Sequence, residues 1–331
     1  MNTKYQVNNF IFENMKRMGG PLLILIIILI VSSVFVPNFF TTINIINIVL
    51  QSAIYIVISI GMTFVITGGG IDLSVGSQIA LISVVMAGLI QASGLPVLLA
   101  MVVALVLGVI LGLVNGLLIA NIKVPDFIAT LATMQTFRGL ALVHSAGKIW
   151  YNLPPTLRYL GKARWFGMPI SAIIALIIAL IASQIYGKTH FGRYTIAIGS
   201  NPNASMLAGI PVRKYKILQY TLMGFLCGIA AILLTARLDS AQATMAQGSE
   251  IHAIAAVVMG GTSLFGGKGN ISGTVVGALI LTIISNTMVL LGVNYFWRLV
   301  ATGIIIVVAV TINSWREMQA MEFLELGKKQ E

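Results

Sequence analysis

Charged residues are scarce in this sequence: Asp, Glu, Lys and Arg make up 9% of its 331 residues, whereas 58% are hydrophobic. A soluble globular domain carries roughly 25% charged residues, because its surface must be solvated. The composition therefore excludes a soluble fold and is typical of a polytopic membrane protein. Lys and Arg outnumber Asp and Glu by 20 to 9. In a membrane protein that surplus reflects loop orientation, so we expect no nucleic-acid partner.

Cysteine and histidine are also scarce, with one Cys and three scattered His. So few residues form neither a disulfide framework nor a metal cage. The Gly-rich segment 260–270 looks superficially like a phosphate-binding loop, but that loop requires Ser or Thr directly after its Gly-Lys, and Lys268 is followed by Gly269. We therefore predict no metal, no catalytic residue and no cofactor in this chain.

Long hydrophobic runs are what the sequence has instead. A bilayer core is crossed by roughly 20 helical residues. Ten apolar segments follow one another, at about 21–36, 45–67, 73–92, 95–121, 126–145, 168–187, 216–237, 250–264, 272–292 and 296–313. They predict an all-α polytopic membrane helical bundle with about ten transmembrane helices, in a range of eight to eleven. Segment 250–264 is short, so we expect a broken or re-entrant helix that lines a cavity.

The predicted membrane domain is 21–313, between an N-terminal segment, 1–20, and a C-terminal tail, 314–331. With the N-terminus in the cytoplasm, thirteen of the twenty Lys and Arg lie in cytoplasmic segments and six lie outside. Because basic residues favour the cytoplasmic side, we predict that both termini are cytoplasmic.

The outer loop 146–167 departs from this orientation rule. It places four basic residues outside among aromatic residues: Lys148, Arg158, Lys162 and Arg164. Two explanations stay open. The aromatic residues anchor the loop at the lipid interface, or the basic residues dock an acidic partner protein.

Ionisable residues are rare inside the apolar segments, where only Arg138 lies well within a span. Carriers driven by proton or sodium gradients usually keep ionisable groups at mid-membrane, so the sequence favours another energy source. A hydrophilic solute needs a path of weakly polar groups, although such groups as readily bond a neighbouring helix. Our candidates for the solute path are Gln51, Asn115, Phe127 and Thr130.

A glycine-rich turn, residues 67–77, joins the second and third apolar segments on the predicted cytoplasmic side. Glycine permits a tight reversal there, and we expect Asp72 to cap the next helix by accepting from its free N–H groups. The residues of this predicted cytoplasmic turn are Gly70, Asp72, Ser74 and Gly76. A plain capped turn is the alternative to a contact with a partner.

The longest predicted cytoplasmic loop, 187–216, contains the signals of one short helix. Asn201 is placed as N-cap, Pro202 as the first helical residue and Gly209 just past the end. A helix of about seven residues is too short to be stable alone. We predict that it docks on a partner, and a helix lying on lipid headgroups is the alternative. The predicted docking residues are Gly192, Arg193, Asn201, Pro202, Asn203, Ala204, Met206, Leu207 and Gly209.

Several motifs in order carry a resemblance to one family. They are 70–77 (GIDLSVGS), 126–131 (DFIATL), 192–193 (GR), 197–201 (AIGSN), 208–210 (AGI), 253–263 (AIAAVVMGGTS) and 266–269 (GGKG). From about Pro37 to the last span, the chain resembles the permease subunits of bacterial ABC sugar importers of the ribose type. The glycine-rich loop of this pattern consists of Gly260, Gly261, Gly266, Gly267 and Lys268.

The resemblance implies a type II ABC-importer-like fold in the bacterial inner membrane and several partners. These are a second permease copy, identical or a related paralogue, a cytoplasmic ATPase that uses ATP and Mg, a periplasmic sugar-binding protein and membrane lipid. It also implies that residues 201–208 are the coupling helix, which sits in a groove of the ATPase.

The expected function is therefore that of a non-enzymatic permease subunit, which imports a monosaccharide or related small polar solute while a partner hydrolyses ATP. The shared motifs do not encode which solute. Autoinducer-2, nucleosides and branched-chain amino acids stay open as alternatives within the superfamily. An ion-coupled carrier or a channel is the alternative from another class, and a channel would need no coupling helix.

Overall fold

The computed structural model describes the backbone of residues 3–328 and the side chains of residues 19–308, 310, 311 and 315. Most of this chain is helical. The helices are α1 (Thr3–Phe35), α2 (Thr42–Thr67), α3 (Val75–Gln91), α4 (Val97–Ala120), α5 (Asp126–Ser145), α6 (Pro155–Lys162), α7 (Ile170–Lys188), α8 (His190–Ser200), α9 (Pro202–Leu207), α10 (Val212–Leu238), α11 (Ser249–Met259), α12 (Ile271–Leu290) and α13 (Tyr295–Lys328). The strands are β1 (Trp150–Tyr151), β2 (Arg164–Trp165), β3 (Met168–Pro169) and β4 (Ser240–Ala241).

Each predicted apolar segment contains one helix, which confirms the helical membrane bundle. Five helices of the described chain are long and apolar enough to cross a membrane: α2, α4, α7, α10 and α12. Four apolar stretches are shorter: Gly19–Phe35, Val75–Gln91, Ser249–Met259 and Tyr295–Val308. Helix α5 has 20 residues but belongs to neither group, because its sequence is more polar. The predicted count of ten spans is therefore not confirmed.

Helices α4 and α10 make the most extensive contact in the bundle. Gly112 of α4 lies directly against the Tyr220 carbonyl of α10, and Gly224 lies equally close to the Gly108 carbonyl. A side chain at Gly112 or Gly224 would overlap the backbone of the facing helix. The glycines therefore allow the two helix axes to approach closely, as small residues do in membrane bundles.

The connecting segments lie at two opposite ends of the bundle. One end, called the α9 face below, carries α8, α9 and the loop 260–270. The other end, the α6 face, carries α6 and two antiparallel strand pairs: β1 pairs with the distant β4, and β2 forms a hairpin with β3. The sequence did not predict α6, α8 or these strands, because elements this short leave little hydrophobic periodicity.

The segment expected to be a broken span, 250–264, contains one short continuous helix, α11, and the non-helical backbone lies before it. Helix α10 ends at Leu238 on the α6 face, residues 243–248 then form turns, and α11 begins only at Ser249. The His252 ring of α11 lies 5.1 Å from the ring of Tyr55, which is halfway along α2. Helix α11 therefore starts near mid-depth of the bundle. It ends at the α9 face.

Candidate functional site

The short helix α9 has the boundaries that the sequence indicates. The Oδ1 of Asn201, the N-cap, accepts a hydrogen bond from the Ala204 N–H at 3.0 Å, and Pro202 is the first helical residue. At the other end Gly209 has φ +81°, a conformation that glycine adopts without strain. The prediction of a helix capped at both ends is therefore confirmed.

Helix α9 presents apolar side chains to the surface of the chain. Leu207 is 87% exposed and Met206 is 62% exposed, and Asn203 and Ala204 are exposed beside them. Ser205 alone is buried and faces the bundle. Helix α9 packs against the bundle on one side and exposes apolar side chains on the other. Such side chains form a surface to which another protein or a membrane can bind.

Gly192 and Arg193 lie on α8, the helix before α9, and not on α9 itself. Gly192 is buried against the Tyr186 carbonyl of α7, where a side chain would overlap the backbone. Arg193 is exposed, and its Nη1 donates to the Lys188 carbonyl at 3.4 Å. Gly192 thus fixes the angle between α7 and α8, whereas Arg193 is available to a partner.

The glycine-rich loop holds the other end of α8. The Gly267 N–H donates to the Thr67 carbonyl at the end of α2, at 2.9 Å, and Gly199 of α8 lies against that same carbonyl. Gly266 has φ +83° and contacts Gly199. Helix α8, which leads directly into α9, is thereby clamped between α2 and the loop that starts α12.

The remaining residues of this loop have separate positions. Gly260 packs tightly against Gly273 at the start of α12, and Gly261 has φ +84° in the turn that follows α11. Lys268 is exposed and lines a cavity of about 330 Å³ together with Arg193 and Asn270. The cavity places two basic side chains beside α8, Arg193 near the start of that helix and Lys268 on the glycine-rich loop.

Asp72 is fully buried between α2 and α3, and so are Gly70, Ser74 and Gly76. Its Oδ1 accepts from the N–H of Ser74 at 2.9 Å and from the Ser74 hydroxyl at 2.6 Å, and its Oδ2 accepts from Gln78 at 3.2 Å. Burial raises the pKa of the Asp72 carboxyl, although these hydrogen bonds act in the opposite direction.

This geometry corrects the expected role of Asp72. The N-cap of α3 is Ser74, and Asp72 accepts from the N–H of that N-cap residue and not from the N–H groups of the first helical turn. Asn115 of α4, 43 residues along the chain, covers the carboxylate, and Thr133 of α5 donates to Asn115. Asp72 therefore stabilises a buried junction and is inaccessible on the surface of this chain.

Asn115 and Thr130, two candidates for the solute path, belong to the same buried junction. Asn115 donates to the Ser74 hydroxyl at 2.8 Å and accepts from Thr133 at 2.7 Å. The Thr130 hydroxyl donates to the carbonyls of Asp126, at 2.8 Å, and Ile71, at 3.2 Å. Asn115 thus joins α4 to α5 and to the start of α3, and Thr130 joins α5 to the turn before α3.

The other two candidates for the path lie apart from this junction. Gln51 is half-buried on α2, and Phe127 is 54% exposed at the start of α5. The four predicted path residues are not brought together along one surface of this chain.

The basic residues of the outer loop separate into two kinds. Arg158 of α6 forms an ion pair with Asp239 at 3.0 Å and also donates to the Leu153 carbonyl at 3.2 Å. Lys148, Lys162 and Arg164 are exposed. Lys162 and Arg164 line one cavity of about 300 Å³ on the α6 face. Arg158 therefore holds α6 to the end of α10, while the other three present charge to the surface.

Arg138, which lies within a predicted span, has a role that the sequence does not indicate. Its Nη1 donates to the carbonyl of Ala243 at 2.6 Å and to that of Met245 at 3.0 Å, both in the non-helical stretch before α11. A lone cation inside an apolar segment is the signal that could have identified it, since such residues are rare unless they are used.

The chain is similar to known permease proteins. A family model described as "Branched-chain amino acid transport system / permease component" matches residues 44–309. The chain is 46% identical to the ribose import permease protein RbsC of Bacillus subtilis strain 168, over 91% of this chain and 94% of that protein.

Two further relatives come from Escherichia coli K12. The ribose import permease protein RbsC is 40% identical, over 89% of this chain and 93% of that protein. The L-arabinose transport system permease protein AraH is 38% identical, over 94% of both chains. No solved structure matches.

Proposed function

The chain belongs to the permease-component family of branched-chain amino acid transport systems, and we propose that it is the membrane subunit of an ATP-driven importer of a pentose sugar. Relatives whose names specify ribose import or L-arabinose transport align with at least 89% of the chain. The structural observation that carries the proposal is α9, a capped helix with exposed apolar residues, fixed to the spans through α8. A channel would need no such element.

Helix α9 is the docking element for a cytoplasmic ATPase subunit in this proposal. Met206 and Leu207 supply the apolar contact, and buried apolar side chains commonly carry most of the affinity of an interface. Movement of the partner is transmitted through α8 to the Thr67 carbonyl and the Gly267 loop, because tightly packed backbone cannot deform independently. ATP and Mg bind to the partner, and this chain contributes the mechanical link.

The charge distribution supports the orientation. The α9 face, with α8, α9 and most basic loops, is cytoplasmic, and the α6 face is outside in a bacterial inner membrane. Both termini are then cytoplasmic. On the outer face, Lys148, Lys162 and Arg164 form a basic surface for an acidic sugar-binding protein. A second permease copy, identical or related, completes the pathway.

The test is ATP-dependent uptake in proteoliposomes that contain the permease and its ATPase. The probes are labelled D-ribose, L-arabinose and L-leucine, each offered with its own binding protein. We expect uptake of a pentose that requires both ATP and the binding protein. Pentose uptake without the ATPase would refute the importer. Transport of leucine alone, the solute class that the family description names, would refute the sugar assignment and retain the importer.

A further inference from the structure

A stripe of polar residues lies on the surface of the bundle near the middle of its depth, where apolar residues that face lipid would otherwise be expected. Helix α5 is as long as a membrane span but too polar to qualify as one by composition. Its exposed side includes Gln135, Thr136 and Gly139 between the exposed Leu131 and Leu140, and Arg138 is half-buried among them. Because polar side chains are costly against hydrocarbon, this side of α5 faces something other than lipid.

Arg138 lies deep within the bundle. It is twelve residues after Asp126 and seven before Ser145 on α5, which places it roughly 18 Å and 10 Å from the two helix ends at 1.5 Å per residue. The carbonyls of Ala243 and Met245 accept its hydrogen bonds at this depth. Non-helical backbone is tolerated at such depth only where protein or a water-filled cavity satisfies it.

The non-helical stretch adds its own polar side chains to the stripe. Thr244 and Gln247 are exposed, and Glu250, at the start of α11, is partly exposed. Glu250 and Arg138 carry opposite charges that attract each other, so the net charge of the surface is reduced. Amide and hydroxyl groups that both donate and accept remain, and these suit the hydroxyl groups of an uncharged polar solute.

We propose that the stripe of Gln135, Arg138, Thr244, Gln247 and Glu250 is the wall of the solute pathway, and that its occupant is an uncharged polyhydroxylated solute. This inference rests on the proposed function and adds the path. It replaces Asn115 and Thr130, whose polar groups are already used between helices. Arg138 is a positioning residue, since its guanidinium holds the backbone that displays Thr244.

The reactivity of introduced cysteines tests whether the stripe is exposed to water. The native Cys227 is buried, so only an introduced cysteine should react with a polar reagent. Thr244→Cys and Gln247→Cys would be treated with a sulfonated methanethiosulfonate in assembled transporter. The matched control is Val106→Cys, which is 52% exposed near the middle of α4 among apolar neighbours. We expect the stripe cysteines to react about tenfold faster or more than the control, because only a hydrated thiol ionises readily.

Labelling at Thr244→Cys should also stop ribose uptake, and ribose with its binding protein should slow the labelling. Rapid labelling with uptake unchanged would overturn the inference. So would slow labelling combined with disulfide cross-linking between two permease copies, because the stripe would then be a dimer contact. If wild-type uptake needs no ATP, the proposed function fails, while the labelling rates still report whether the stripe is hydrated.

The role of Arg138 has a separate readout. In the Thr244→Cys background, Arg138→Met removes the donors to the Ala243 and Met245 carbonyls, and we expect the labelling rate to change severalfold. Arg138→Lys keeps a cationic donor and should restore part of the original rate. Equal labelling rates in all three proteins would show that Arg138 does not position Thr244.

Discussion

Gly199 of α8 lies directly against the Thr67 carbonyl oxygen of α2, so that a Cβ on Gly199 would overlap that oxygen and lie 2.6 Å from the Gly267 nitrogen. Backbone atoms on both sides prevent adjustment by a side-chain rotation. This contact joins the helix before α9 to a membrane span. In the proposed function it is one route by which a force on α9 reaches the bundle, beside the direct connection of α9 to α10.

Gly199→Ala should therefore weaken coupling. The added methyl forces α8 away from α2, and we expect ATP-dependent uptake to fall about tenfold or more, a strain of roughly 1–3 kcal/mol. Gly303→Ala on α13 is the control, since no atom lies within 4 Å of its added Cβ. Transport per assembled complex is the measurement. Normal uptake by Gly199→Ala would show that the contact can open without loss of coupling.

Leu207→Asp should remove ATPase binding without unfolding the permease. Leu207 is 87% exposed, so a charge there costs little in the isolated chain but would be buried unpaired in an apolar groove. We expect copurification of the ATPase to be lost. Phe166→Asp, at a residue 96% exposed on the opposite face, is the matched control and should retain the ATPase.

Helix integrity at α9 can be tested separately. Ala204→Pro removes the N–H that donates to Asn201 and distorts the turn, so uptake should become uncoupled from ATP hydrolysis. Asn201→Asp keeps a capping oxygen and should remain close to wild type, because Asp and Asn cap helices about equally well. Normal import by Ala204→Pro with an assembled ATPase would contradict the role of α9.

The local signals of the sequence were sufficient for α9 but not for the sites inside the bundle. Asn201, Pro202 and Gly209 specify a helix through contacts within a few residues, so its bounds could be predicted. The partners of Arg138 lie 105 and 107 residues away, in Ala243 and Met245. Nothing in the local pattern of α5 indicates which backbone will meet it.

The turn at Asp72 is a second feature whose surroundings the local sequence does not specify. Glycines and an acidic residue correctly indicated a turn between α2 and α3, but its burial depends on Asn115, 43 residues away. Exposure is set by which helices pack over a segment. A turn motif alone therefore suggested a surface position for residues that are completely covered.

The stability of Asp72→Asn relative to that of the wild-type protein should increase as pH rises. Burial raises the folded-state pKa of Asp72, so the unfolded chain, with an Asp pKa of about 3.9, releases its proton first. The stability that the raised pKa of Asp72 adds to the wild-type protein is fully present below the unfolded pKa. It is lost as pH rises through the folded pKa. Melting temperatures of the purified permease from pH 4 to 8 measure the difference between the two proteins.

Asp72→Ala provides the comparison for that series. It removes the acceptor of the Ser74 and Gln78 hydrogen bonds, so it should be less stable than Asp72→Asn at every pH. Because Asp72 is buried, abundance and transport should fall together. A difference between Asp72→Asn and wild type that is constant with pH would show that the carboxyl titrates normally.

Arg158 should behave differently from the exposed basic residues of the same loop. Arg158→Glu places two carboxylates together at Asp239, in a pair whose side chains are 34% and 27% exposed. We expect a modest loss of stability, about 1 kcal/mol after allowance for solvent screening. Arg158→Lys keeps the charge and should be milder. Thermal stability of the isolated permease measures this effect without any binding protein.

Lys162 and Arg164 test the docking of a binding protein, because both are exposed at one cavity on the α6 face. Charges at the rim of an interface act mainly on the association rate and are screened beyond about 8 Å at physiological salt. Changing both residues to Glu should therefore slow binding-protein-stimulated ATP hydrolysis most strongly at low salt, while basal hydrolysis stays unchanged. Stimulation that is unaltered at every ionic strength would leave anchoring at the lipid interface as the role of this loop.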